Sequence, residues 1–498
     1  MLYQTKLSPS DKLDLLLKTA ACQAYGAITS LANEFSVSRK AIYTARTTIL
    51  NAFKALSNRK NDAKYMCCIA VDKSLLHRTI IALSITAPNS ICAIQEQISI
   101  IYPGISLSFG YIQGIIKEAQ EKSAVFNKTV TLNNIESIAV DEMFSQGAPV
   151  LAGIDLDSGY LFSLSHETSR DGATWERVLK EAQYQGMEPK YVVKDGAKGI
   201  AKGVELTFDK IEQRDDAFHA IYLAGKVRLK LEHIAYRHIG YEAEAQKKQL
   251  KGSSQNKRSL AKSLDWAKKK CTLAIDRYTL AAEAVQCIRM AFCSVNFKTG
   301  ELITPETAQQ LLTQAVVKLR ETQSYDGQRI ALYVENRITG LTLATSKTYK
   351  HLSDLMSHYS EDAISLTCRL IERKRKLKKM PPWKQKRVHK EMVGTYYFLC
   401  RELDEKGVHE LMRTIEMRLQ SRHMASSAIE GFNATLRSYL YVRKGVNQGF
   451  LELFKAWYNL RNRRWGRNQG TSAYGSLTGE PVTDWLSLIG YPPSKIIH

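Results

Sequence analysis

The chain has 498 residues, 44% hydrophobic and 24% charged, with nine cysteines and a formal net charge of +22. That length predicts about two to four domains; no apolar run reaches the ~18 residues that suggest a membrane span, and the polar opening MLYQTKLSPSDKLD lacks the apolar segment of a secretory signal. The cysteines include no Cys-x-x-Cys pair, which supports neither a zinc site nor a disulfide framework and fits a reducing, cytoplasmic setting, while the basic balance points to a polyanion, most simply nucleic acid, with solvated lysine faces as the plainer alternative.

Residues 9 to 57 show helical periodicity within a first domain, 1–60. Leu31, Ala32 and Phe35 form an apolar face, Phe35-Ser36-Val37 supplies a turn, and Ser38 can cap the next helix. This helix-turn-helix rhythm predicts that Arg39, Lys40, Tyr43 and Arg46 face outward, suited to phosphates and base edges. A generic helical pair is the bland alternative. A second helical stretch from Leu76 to Glu121, in a region 61–130, would expose Ser108, Tyr111, Gln113 and Lys117. Together the two suggest a bipartite DNA-binding region and a nucleoid-associated location.

The periodicity changes at 136. Strand-like runs cover 136–142, 149–156 and 159–166, and DLDSGY supplies a hairpin turn. A helix follows around Trp175, Val178 and Leu179, then the short strand PKYVVKDG, a helical stretch, and KIEQRDDAFHAIYLAG passing from strand to helix. Three meandering strands followed by two in α/β crossovers predict an α/β ribonuclease H-like core: a mixed five-stranded sheet with helices, its first part at 131–225. Residues 136–219 hold 9 Lys and Arg against 16 Asp and Glu, a net of −7, so the rest carries +29. An acidic island suits divalent cations, which prefer carboxylate oxygens; surface patchiness is the alternative.

A large, basic, all-α insertion is expected over 226–420. KKQLKGSSQNKRS (247–259) suggests a loop, and Pro381-Pro382 must break a helix. The basic run 369–390 suits a solvated face tracking phosphates, and Trp266 and Trp383 are expected as core or crossing anchors rather than base-stacking wedges. The core resumes in a last part, 421–498, where ASSAIEGFNATLRSYLYVRKG predicts a helix with an apolar stripe at Ile429, Phe432, Leu436 and Leu440. Glu430, Asn433, Arg437, Tyr441 and Lys444 fall on a neighbouring face by the 3.6-residue period.

In the ribonuclease H-like order, the strands ending at Asp141 and Asp195 are neighbours, so these carboxylates would converge, with Glu430 completing the site from the late helix. Three carboxylates can hold two Mg²⁺ ions about 3.5–4 Å apart, with Mn²⁺ able to substitute. Glu142 is the rival to Asp141, while Asp155 and Asp157 sit at a hairpin turn, where Asp is ordinary.

Over roughly residues 130–485 the chain resembles the DDE transposases of bacterial insertion sequences. The carriers are AVDEMF with the hairpin LAGIDLDSGYLFSL, VVKDGAKGI, the Asp216-Ala-Phe-His219 element, SSAIEGFNATLR and the tail GTSAYGSLTGEPVTDWLSLIG. The resemblance implies Asp141, Asp195 and Glu430 as catalytic and metal-binding residues. Asp216, His219 and Asn433 would support them, His219 by orienting a site carboxylate or touching DNA, although a structural histidine is the commoner case. Arg437, Tyr441 and Lys444 would meet the DNA strand. The separation from Asp195 to Glu430 exceeds that of compact members and implies a helical insertion like those of some insertion-sequence families and the hAT transposases, handling DNA ends, hairpins or the dimer. The implied activity is metal-dependent cleavage of element ends and strand transfer into double-stranded target DNA by a homodimer or larger oligomer, with no membrane partner. A catalytically inactive DNA-binding protein and a structure-specific nuclease of the same fold are the alternatives.

Overall fold

The structure, a computed structural model, describes residues 9–21, 26–57, 71–251, 256–297, 299–377, 380–420, 422–423, 427–442, 445–466 and 468–494. The chain divides into two compact units, Met1–Val71 and Asp72–His498.

The first unit contains α1 (Pro9–Ala21), α2 (Ala27–Glu34) and α3 (Arg39–Ser57). Leu15, Leu31, Ala32 and Ile42 form its small core, with Phe35 and Val37 packed against it. Ser36 takes a positive φ of 52° in the turn, and the Ser38 hydroxyl accepts the Ala41 N–H at 3.2 Å, which satisfies a free donor at the start of α3.

The second unit opens with α4 (Lys73–Thr86), α5 (Ile91–Ile101) and α6 (Phe109–Thr129). Side chains cap all three: Asp72 accepts from Leu75, Ser90 from Ala93 and Ser108 from Tyr111. Then come β1 (Ser137–Ser145), β2 (Ala148–Asp155), β3 (Leu161–His166), α7 (Gly172–Tyr184), β4 (Tyr191–Lys194), α8 (Lys198–Thr207) and β5 (Glu212–Asp215). The helical block follows as α9 (Ala217–Lys251), α10 (Lys257–Ala291), α11 (Pro305–Glu321), α12 (Tyr325–Glu335), α13 (Ile338–Ser353), α14 (Glu361–Leu377) and α15 (Pro382–Gln420). The chain closes with α16 (Ser427–Val442), α17 (Gln448–Leu460), α18 (Ala473–Thr478) and α19 (Trp485–Leu488).

The strands form a five-stranded sheet in the order β3-β2-β1-β4-β5. β1 runs antiparallel to β2 and parallel to β4; β2–β3 is antiparallel and β4–β5 parallel. This mixed sheet has the order expected of a ribonuclease H-like core. Side chains alternate across it. Ile138 and Val140 join Trp175, Val178, Leu179, Ile200 and Val204 of α7 and α8. Ala139 and Met143 join the opposite cluster, with Ile80, Ile112, Phe432 and Phe454 of α4, α6, α16 and α17.

α4–α6 thus help cover one face of the sheet, where the sequence reading sets residues 61–130 apart. The cause is the number of isoleucines that α4–α6 bury: Ile80, Ile81, Ile85, Ile98 and Ile112 are fully buried. Ser108, Tyr111, Gln113 and Lys117 remain exposed. The free edge of β3 is closed by one polar face of α17. Gln448 pairs with the His166 N–H and Leu164 carbonyl, Lys455 donates to the Phe162 carbonyl at 2.6 Å, and Asn459 exchanges both bonds with Leu161. These bonds satisfy an edge that would otherwise template further strands.

The helical block has two apolar clusters, one formed mainly by α9–α13 and one centred on α14 and α15. The expected loop at 247–259 is helical at 247–251 and 257–259, and 252–255 lie outside the described residues. α14 ends before Pro381-Pro382, as their geometry requires. Within α15, Asp404 leaves helical geometry (φ 61°), and its carboxylate accepts the Gly407 N–H at 2.7 Å, capping the second half. Trp266 and Trp383, expected as anchors, are 59% and 73% exposed.

Candidate active site

β1 continues through Asp141, which the sequence reading places at its end, to Ser145. What ends near Asp141 is the parallel ladder to β4, whose last pair is Val140 with Lys194. Continuing that register by one residue puts Asp141 beside Asp195. Alternation separates Asp141 from its rival. Asp141 shares a face with Ala139 and Met143, toward α16, whereas Glu142 turns to the α7 side. There Glu142 is ion-paired with Arg170 at 2.7 Å and meets Trp175 Nε1 at 3.4 Å. The hairpin acids lie at the other end of β1, because Asp155 pairs with Ile138. Asp155 accepts from the Ser158 N–H, and Asp157 from Ser137 and His423.

α16 reaches this point because its stripe of Ile429, Phe432 and Leu436 is fully buried. Asn433, one residue after Phe432, is also fully buried, and its Nδ2 donates to Asp141 Oδ2 at 2.6 Å. The other Asp141 oxygen accepts the Glu142 N–H at 2.8 Å. Asn433 Oδ1 is buried with no hydrogen-bond partner among the described residues. Burial, with the charges of Asp195 and Glu430, pushes the Asp141 carboxyl up to about 6, against those two hydrogen bonds. All three carboxylates therefore share one electrostatic neighbourhood.

They do not form a closed ligand set: among the described residues, no three His, Cys, Asp or Glu groups gather as a metal cluster. Both Asp141 oxygens accept hydrogen bonds, and Asp195 Oδ1 accepts the Ala197 N–H at 2.8 Å. Asp216 is buried and accepts from Phe218 and His219 N–H groups at the start of α9. The His219 ring leans on Tyr333, with centroids 5.7 Å apart, and makes no hydrogen bond to the three carboxylates. Arg437 and Tyr441 are exposed on α16, and Arg437 forms no ion pair among the described residues. Lys444 lies outside the described residues. Arg39, Lys40, Tyr43 and Arg46 are exposed on α3 of the first unit.

Two residues absent from the sequence reading reach this end of the sheet from the helical block. Arg337 donates to the Gly196 carbonyl at 3.2 Å, sits 3.6 Å from Asp215, and lies 4.3 Å above the Tyr333 ring. Burial and the nearby Asp215, Asp195 and Asp216 charges raise the Tyr333 hydroxyl above its usual value, against the pull of Arg337. A side chain at Gly196 would press on both Arg337 and Tyr333, which would have to shift to admit it. Nothing local in the sequence marks the pair, which stands some 140 residues after the turn it touches.

No family model matches the chain, and no curated protein does. Among solved structures the chain is similar to one described as the Drosophila P element transposase strand transfer complex. The match has 11% identity and a TM-score of 0.29, and covers 81% of this chain and 94% of that one. At those values the likeness assigns no residue and no activity. No helix among the described residues is long and apolar enough to cross a membrane.

Proposed function

We propose that the protein is a DDE-type transposase with a ribonuclease H-like core, cleaving the ends of its element and joining them to target DNA. The observation that carries this reading is the parallel pairing of β1 with β4 up to Val140 and Lys194, which leaves Asp141 and Asp195 next in register, with Asn433 of α16 donating to Asp141. The motif resemblance agrees in order and in residue type. In this reading Asp141, Asp195 and Glu430 hold Mg²⁺ or Mn²⁺. The residues suit such an ion by chemistry: the donors are hard carboxylate oxygens, burial, with the Asp195 and Glu430 charges, already raises Asp141, and the Asn433 side chain that holds Asp141 keeps a buried oxygen without a hydrogen-bond partner among the described residues. When bound, the metal supplies activation of a water or 3′-hydroxyl and stabilisation of the leaving 3′-oxygen.

The chain's own residues do the positioning. Asn433 fixes the Asp141 carboxylate through its amide, and the Ala197 N–H fixes Asp195. Arg437 and Tyr441, exposed further along α16, would guide the strand past the carboxylates, with Lys444 beyond them. Arg39, Lys40, Tyr43 and Arg46 would engage element ends from α3. An oligomer, at least a dimer, would hold two ends.

The test is to incubate the full chain with duplexes carrying its own flanking DNA and Mg²⁺ or Mn²⁺, and map the nicks. Cleavage at the element boundary that disappears in Asp195→Asn, with duplex binding retained, is expected. Binding without metal-dependent cleavage would overturn the enzymatic reading; cleavage untouched by Asp195→Asn would overturn the site.

A further inference from the structure

A second charged feature lies on the same face of the sheet, at the other end of its parallel strands. A cavity of about 170 Å³ opens where β4 and β5 meet α13 and α15, and Lys190, Arg214, Lys347, His351, Arg418 and Arg422 line it around Tyr191. Among the described residues that line it, five are Lys or Arg and none is acidic. Tyr191 precedes Asp195 by four residues, about 13 Å along a strand.

The surrounding acids offset only part of this charge. Glu212 is shared between Arg214 at 2.6 Å and Lys347 at 2.7 Å. Glu136 meets Lys190 at 2.7 Å in an exposed pair, which water screens. Asp157 is bonded to His423. Glu372, which acts on Arg422, also accepts the Ser294 N–H and hydroxyl. Desolvation draws the Arg422 guanidinium below its usual value, with Glu372 opposing and Arg375 adding to the shift. Arg214 is 4% exposed and its guanidinium lies 3.5 Å over the Tyr191 ring, with Nη1 donating to the Arg422 carbonyl at 3.0 Å. The site is therefore held rigid around a fixed, planar donor.

We propose that this pocket binds a phosphoryl group, bridging the β4–β5 edge of the sheet to α13 and α15. Convergent Arg and Lys side chains recognise tetrahedral oxyanions through charge-assisted hydrogen bonds. The volume suits such an anion with its water and falls below the roughly 300 Å³ of small-molecule pockets. The group can come from a nucleic-acid backbone or from free phosphate, and the inference holds whether or not the chain cleaves DNA.

The test is calorimetric titration of inorganic phosphate into the full chain in chloride buffer, repeated with Lys347→Gln combined with Arg418→Gln, both exposed positions. Saturable binding by the wild type is expected, weakened about tenfold or more in the variant, with melting in phosphate-free buffer unchanged. A short DNA duplex that competes with phosphate identifies a backbone phosphate as the ligand; one that does not identifies the free anion. Lack of saturable binding by the wild type, or equal binding by both proteins, overturns the proposal. If the double variant melts low, Lys347→Gln alone carries the same comparison.

Discussion

The Asp141 carboxyl carries an unfavourable charge in the folded chain. Its pKa stands near 6 when folded against 3.8 as the ordinary value. A carboxyl raised on folding binds more protons in the native state between those values, so stability falls as pH rises from about 4 to 6 and stays reduced above. Two pKa units correspond to at most about 3 kcal/mol. Asp141→Asn removes that charge but leaves either the Glu142 N–H or the Asn433 amide without its acceptor, a loss of about 1 kcal/mol. The variant should therefore be more stable than wild type by about 1–2 kcal/mol at pH 7–8 without divalent metal, and its advantage should shrink below pH 5. Urea melts across pH check this, and a variant less stable at pH 8 would contradict the charge assignment. The same substitution should abolish cleavage, which separates a functional carboxylate from a structural one.

Among the elements, α16 sets a buried apolar stripe beside residues of the proposed site. Phe432→Ala empties a fully buried site and should destabilise the chain by about 3–5 kcal/mol in a urea melt. Arg437 is exposed and has no ionic partner among the described residues, so Arg437→Ala should move stability by less than about 0.5 kcal/mol. On the proposed function it should still lower the cleavage rate, because a strand guide is lost; unchanged cleavage would remove Arg437 from the DNA track. Much of this contrast was legible beforehand, since the 3.6-residue period separates Ile429, Phe432 and Leu436 from Glu430, Asn433 and Arg437. The strand alternation that turns Asp141 toward α16 and Glu142 toward Arg170 was legible in principle, but only once a partner lay on each face. Arg337 and Tyr333 were not legible, because long-range docking of the helical block leaves no local pattern. Trp266 and Trp383 misled because large aromatics are highly buried on average, whereas these two are largely exposed.

Across the whole molecule, charge and architecture divide the work. Residues 136–219 carry −7 within a chain of +22, so on the proposed function the basic remainder would supply the attraction to DNA while the acidic segment contains Asp141 and Asp195. A divided chain also permits recognition and chemistry to be separated, since Met1–Val71 and Asp72–His498 are distinct compact units. The Asp72–His498 unit contains its own sheet and apolar clusters, so a chain lacking residues 1–71 should melt within a few degrees of its full-length counterpart, as a loss of under ~1 kcal/mol allows at this size. Its affinity for element ends should fall to the level seen with unrelated duplex, if α3 supplies the sequence reading. Arg46→Ala tests the same point without truncation. A lost phosphate contact weakens binding to all duplexes alike and reduces the slope of log affinity against log salt by roughly one, whereas a lost base contact weakens binding to element ends alone. Fluorescence anisotropy with the two duplexes over a salt series distinguishes these cases. If neither Arg46→Ala nor the truncation changes affinity for either duplex, recognition does not reside in the first unit, and the exposed face of α4–α6 around Tyr111 and Lys117 becomes the surface to mutate next.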